Sequence, residues 1–113
     1  MRTTRIIGII LTGILLILGA CSSTSKAPST AQIKIQPLGA GTEGWRPNTV
    51  VVSTGGVVTW LSSGLFQHSV ISGEGLFNQI LASGQSFNYT FDKPGTYTYH
   101  DDPNNELDTV VVK

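Results

Sequence analysis

Beyond residue 31 no stretch of this chain holds a helical period. Short runs of Val, Ile, Thr and aromatic residues alternate instead with clusters of Gly, Asn, Asp and Ser. Runs of this length, with every second side chain apolar, are the pattern of strands that bury one face. They fall at residues 33–38, 49–53, 57–61, 68–72, 86–91, 96–100 and 109–113. Phe87, Tyr89 and Phe91 share one parity, as do Tyr97 and Tyr99, so each set lines one face of its strand. Gly55-Gly56 between two Val-rich runs reads as a hairpin turn, because glycine adopts positive φ at little cost. Lys93-Pro94-Gly95 reads as another turn. Seven short strands in roughly 80 residues bury a core by packing two antiparallel sheets face to face. The expected fold class is all-β, a small β-sandwich of about seven strands.

The first twenty residues are a different kind of segment. Arg2 and Arg5 precede an apolar run at residues 6–18, which ends in the small residues Gly19 and Ala20. A basic start, a short apolar stretch and small residues beyond it describe a secretory signal peptide. The run is shorter than the ~20 residues a spanning helix needs. Cys21 is the only cysteine, which excludes an internal disulfide framework, an Fe–S cluster and a Cys-rich zinc site. Leu18-Gly19-Ala20-Cys21 resembles the lipobox of bacterial lipoproteins. That resemblance implies cleavage before Cys21, lipidation of its sulfur, and an exported chain held to the cell envelope through a lipid anchor. The destination is the outer membrane, as Ser22 suggests, or the outer face of the cytoplasmic membrane in a single-membrane cell. Residues 21–31 then comprise the lipidated cysteine and a polar, proline-containing tether, and the folded domain is expected over 32–113. Removing residues 1–20 takes two of the seven basic residues and leaves five against seven acidic ones. With no basic surface for phosphates, nucleic acid is not an expected partner.

From Trp45 onward the residues resemble the cupredoxins, the plastocyanin- and amicyanin-like blue copper domains. Trp45-Arg46-Pro47 stands before a Val-rich strand, and Gly56-Val57-Val58-Thr59-Trp60 is similar to the family's G-x-x-V-x-W. His68, eight residues after Trp60 and followed by Ser69-Val70, stands where the family has its first copper ligand. Gly75-Leu76-Phe77, Gly84-Gln85-Ser86-Phe87 and Gly95-Thr96-Tyr97-Thr98-Tyr99 extend the match over nearly the whole domain. The resemblance implies a Greek-key sandwich and, in the family, a copper site completed by a cysteine, a second histidine and a methionine.

Here those ligands are missing. The cysteine position holds Asp101, no histidine follows His100, no methionine occurs beyond Met1, and Leu107 or Glu106 stands near the axial position. A type 1 centre needs the thiolate for its affinity for Cu(I) and its electron path, so that chemistry is excluded. A nonstandard copper site anchored by His68 is the expectation that survives, for copper handling or vestigial electron transfer with an envelope or redox partner. Asp101 and His100 are the candidates to complete it: strand parity sets Asp101 with Tyr97 and Tyr99, and His100 on the opposite face unless the strand end bends. The alternative is a metal-free module that uses the fold for protein–protein contact in the envelope. Asp101, Asp102, Asn104, Asn105, Glu106 and Asp108 read more simply as a solvated acidic turn than as a Ca²⁺ loop, since the EF-hand spacing and glycine are absent. Trp60, Phe77, Phe87 and Phe91 read as core. No nucleophile–base constellation or phosphate loop is legible, so no enzyme is expected.

Overall fold

The computed structural model describes residues 26–102 and 106–113. The signal segment and Cys21 lie outside the described residues. Among the described residues nine strands run in order: β1 (Thr30–Gly39), β2 (Thr42–Arg46), β3 (Thr49–Val52), β4 (Gly56–Leu61), β5 (His68–Ser72), β6 (Asn78–Leu81), β7 (Ser86–Phe91), β8 (Gly95–His100) and β9 (Leu107–Val112). They form a five-stranded sheet in the order β3-β9-β8-β5-β6 and a four-stranded sheet in the order β2-β1-β4-β7. This is the two-sheet sandwich expected from the alternation, with two more strands than the alternation shows.

Period-two patterning builds the core directly. In β4, Gly56, Val58 and Trp60 face inward while Val57, Thr59 and Leu61 are half-buried. In β9, Asp108, Val110 and Val112 are buried. Trp60 is the centre, with no exposed surface. Its ring stacks on Phe87 at 5.8 Å and meets Tyr99 edge-on at 5.3 Å. Phe77, Phe87, Tyr89 and Tyr97 form a partly buried aromatic layer against this core. Each fully buried aliphatic or aromatic side chain contributes roughly 1.5–3 kcal/mol.

Three expectations are corrected. The run through Gly55-Gly56 is not a hairpin: β3 pairs in parallel with β9, whereas β4 pairs with β1 and β7 in the other sheet. The turn, closed by Gly56 N–H to Ser53 O at 2.8 Å with Gly55 at φ 85°, carries the chain across the core. Local turn chemistry sets the reversal and says nothing about which strand lies alongside. For the same reason the sheets are mixed, since β1 also lies parallel to β4. Finally, β2 and β6 escaped the pattern. The β2 run Thr42-Glu43-Gly44-Trp45-Arg46 holds one large apolar side chain, and its tight turn from β1 uses positive φ at Gly39, Ala40 and Gly41. In the edge strand β6 only Leu81 is buried.

The first strand begins at Thr30, which pairs with Val57, while the carbonyls of Pro28 and Ser29 accept from Ser53 and Val57 N–H. The last residues of the tether in the sequence reading are thus hydrogen-bonded to the domain.

Candidate functional site

His68 opens β5 at one end of the sandwich and is 5% exposed. Asp101 follows β8 immediately and is 1% exposed. The parity that sets Tyr99 inward continues to Asp101, and the antiparallel pairing of β8 with β5 brings the carboxylate to the imidazole. His68 Nδ1 is hydrogen-bonded to Asp101 Oδ2. The other Asp101 oxygen accepts from Ser69 N–H at 2.9 Å and Ser69 Oγ at 3.1 Å. Ser69 Oγ in turn accepts from Asp102 N–H at 2.8 Å, and the Trp45 indole donates to Ser69 O at 3.0 Å. Trp45 also lies edge-on against the imidazole, ring centres 5.9 Å apart.

The second imidazole nitrogen is engaged by a residue that sequence reasoning missed. Glu43 Oε1 stands 2.9 Å from His68 Nε2. The same carboxylate accepts from Leu65 N–H at 2.9 Å and Phe66 N–H at 3.4 Å. Glu43 lies on β2, the strand that the alternation did not reveal, and no spacing to His68 announces it. The only signal was a lone acid between Gly41 and Gly44 just before Trp45.

Two carboxylates, one at each ring nitrogen, define the protonation state. A neutral imidazole would point one lone pair at a carboxylate, whereas imidazolium donates from both nitrogens. Burial lowers the affinity of His68 for its proton. The hydrogen bonds to Glu43 and Asp101, and their charges, outweigh that and hold its pKa above the ordinary 6.5. The His68 hydrogen bond, aided by the Leu65 N–H, pulls Glu43 below its ordinary 4.5.

His100 lies on the opposite face of β8 from Tyr99 and Asp101, half-buried, opposite Leu107 and Ile71. The structure therefore brings His68 and Asp101 together and leaves His100 pointing away. Leu107 is 66% exposed, and Glu106 binds Arg46 at 2.8 Å.

These residues do not fit a copper ion. No thiolate is present, and both nitrogens of His68 are committed to carboxylates. Among the described residues no group of three His, Cys, Asp or Glu side chains is placed to hold a metal. Nor do they fit a nucleophilic triad: there the imidazole bridges serine and aspartate, whereas here the Ser69 hydroxyl goes to Asp101 itself.

A second buried acid lies nearby. Asp108 is 2% exposed, and its Oδ1 has no hydrogen-bond partner among the described residues. Burial pushes its pKa up to about 7, with the charges of Glu106 and Asp101 adding to the rise and Arg46 opposing it. Tyr99, its register partner on β8, is likewise pushed up by burial.

No family model matches the chain. Solved structures do. A purple cupredoxin from Nitrosopumilus maritimus is 29% identical, with a TM-score of 0.61, over 74% of this chain and 99% of that one. An oxidised amicyanin variant is 24% identical, with a TM-score of 0.61, over 78% of this chain and 86% of its own. A reduced Cu(I) form of another amicyanin variant gives 24% identity and a TM-score of 0.63 over the same shares. Nine strands in two sheets, the Trp60-centred core and these likenesses agree: the chain has the cupredoxin-like Greek-key β-sandwich fold.

Proposed function

We propose that this chain is a lipid-anchored cupredoxin-fold module of the cell envelope that works without copper, through protein–protein contact. The observation that supports this reading is the bonding of His68, whose two nitrogens donate to Glu43 and Asp101 and leave no lone pair for a metal. The imidazolium cross-links β2, β5 and the end of β8. Copper handling at His68 and Asp101, the expectation from the ligand spacing, requires the metal to expel the proton shared by that pair.

A Cu(II) titration of residues 22–113 against a competing chelator, read by EPR, decides between the two. The expected result is no stoichiometric site. Stoichiometric binding with imidazole hyperfine structure that persists in His100→Ala would overturn the metal-free reading and restore His68 as a ligand.

Anchoring has its own test. Replacing Cys21 with alanine in the full chain is expected to abolish incorporation of labelled fatty acid and to release the domain from the membrane fraction. Unchanged membrane retention in that variant would remove the lipid anchor from the proposal.

A further inference from the structure

The four-stranded sheet ends at β7, and among the described residues no strand pairs with its outer side. Ser62 N–H and Gly55 N–H donate to Gln85 O and Phe91 O, so the odd-numbered residues of this stretch turn their backbone groups toward β4. Ser86, Asn88 and Thr90 therefore turn their N–H and C=O groups outward along a free edge.

Free edges accept further strands, and β-proteins blunt them with charge, proline or shortness. The edge strand β2 carries Glu43 and Arg46. The edge strands β3 and β6 have four residues each. β7 has six, and no charged side chain or proline occurs from Gly75 to Phe91. Its Phe87, Tyr89, Thr90 and Phe91 are residue types that favour strand pairing. Of the four edges it is the one that none of these devices protects.

At the middle of that edge lies Asn88-Tyr89-Thr90. An asparagine with Ser or Thr two residues on, and no proline between, is the acceptor pattern for N-glycosylation of exported chains. Of the five asparagines, Asn48, Asn78, Asn88, Asn104 and Asn105, only Asn88 has it. The pattern alone is short enough to arise by chance, and the strand supplies the rest. Asn88 and Thr90 are both exposed on the solvent face, about 7 Å apart along the chain. Tyr89 between them turns inward, 4.9 Å from the rings of Phe77 and Phe91. Among the described residues no side-chain hydrogen bond engages Asn88 or Thr90, so carboxamide and hydroxyl are both open to an enzyme.

We propose that Asn88 is an N-glycosylation site and that its glycan caps the β7 edge. This rests on the export part of the reading above and is independent of the metal-free part. The donor is an oligosaccharide carried on a polyprenyl diphosphate. The Asn88 carboxamide nitrogen attacks the anomeric carbon, a C–N bond forms, and the C–O bond to the diphosphate breaks. The electron pair of that bond leaves with the diphosphate, and Nδ2 gives up one proton to a base of the transferase. A bulky, hydrophilic glycan at Asn88 stands beside the outward N–H and C=O groups and keeps another strand from pairing there.

The test is peptide mass spectrometry on the full chain recovered from the envelope of the cell that makes it. The expected result is a saccharide mass that fragmentation locates on Asn88. Asn88→Gln and Thr90→Ala are expected to lose it completely, whereas Thr90→Ser, which keeps the hydroxyl, retains it. Detergent-solubilised Asn88→Gln is expected to hold the parent Tm within about 4 °C, as an exposed substitution should. Below that temperature it is expected to aggregate several-fold faster than the parent. Adding Thr90→Lys, which places a charge on the edge, is expected to restore the parent rate. Unmodified Asn88 in a chain freed of residues 1–20 would overturn the glycan alone, and in a chain that keeps them would overturn export with it. A saccharide found only on Ser or Thr of residues 22–31 would also overturn the site. Equal aggregation rates for parent and Asn88→Gln would overturn the capping role.

Discussion

Replacement of His68 by alanine is expected to destabilise the domain by about 3–5 kcal/mol, the cost of removing one member of a buried ion pair. Most of that arises at Asp101, which is 1% exposed and would be left as a buried carboxylate with only the Ser69 donors. For a domain of this size each kcal/mol moves Tm by about 4–8 °C, so a fall of more than about 12 °C is expected. Typical total stability is about 5–15 kcal/mol, so this loss is a large share of it. Asp101→Asn in the same background is expected to recover part of the loss, because the orphaned charge is gone while the Ser69 bonds can remain. Thermal unfolding of the single and double variants in a double-mutant cycle measures the coupling. A His68→Ala Tm within about 2 °C of the parent would mean that the cluster is not the cross-link described above.

Asp108→Asn is expected to act in the opposite direction, and only where the carboxylate is charged. The native group binds its proton up to about pH 7, whereas an unfolded aspartate releases it near 3.8. Between those values the folded state binds more protons, so stability contributed at Asp108 falls as pH rises and is lost above about 7. Asparagine removes that dependence. The variant is expected to gain about 1–3 kcal/mol at pH 8, the usual cost of an unsatisfied buried polar group, and almost nothing at pH 4. His68 adds a second descending limb. Its folded pKa lies above 6.5, so its contribution is complete below 6.5 and is lost as pH rises through the folded value. Glu43, held below 4.5, contributes above 4.5 and loses its effect as pH falls through its lowered value. Since the Asp108 limb already descends from about 3.8 and the Glu43 contribution is complete by 4.5, the parent should be most stable near pH 3.8–4.5 and decline from there toward pH 8. In Asp108→Asn the decline toward pH 8 should shrink to the part that belongs to His68. Parallel pH profiles of Tm for parent and variant would expose an error, since identical slopes between pH 4 and 7 are incompatible with a buried ionising Asp108.

Much of this architecture is legible in the residues because period-two alternation is a local property. It announces which side chains of β4, β7, β8 and β9 face inward, and that parity carries Asp101 to the same face as Tyr99. The spacing from Trp60 to His68 resembles that of a known fold, and the fold is as that resemblance implies. The two carboxylates around the imidazole differ in this respect. Asp101 was within reach of a parity argument because it ends a well-patterned strand. Glu43 was not, because β2 has one large apolar residue and no alternation to read.

Chain-distant neighbours were beyond local patterning altogether. Val-rich runs on either side of Gly55-Gly56 look like hairpin partners, yet each finds its partners in a different sheet. The acids from Asp101 to Asp108 look like one solvated turn. Tertiary packing separates them instead: Asp101 binds imidazolium, Glu106 pairs with Arg46, and Asp108 is buried with an unpartnered oxygen. The sequence by itself determined that the domain is a β-sandwich, that Asp101 and not a cysteine follows the Tyr97–Tyr99 strand, and which faces are apolar, because these depend on residue identity and spacing along the strand. Only the tertiary structure decided that His68 is held between two carboxylates and that the exposed Leu65 and Phe66 are held beside Glu43. Those facts depend on which strands lie side by side, and strand pairing is a long-range choice that no short window of residues encodes.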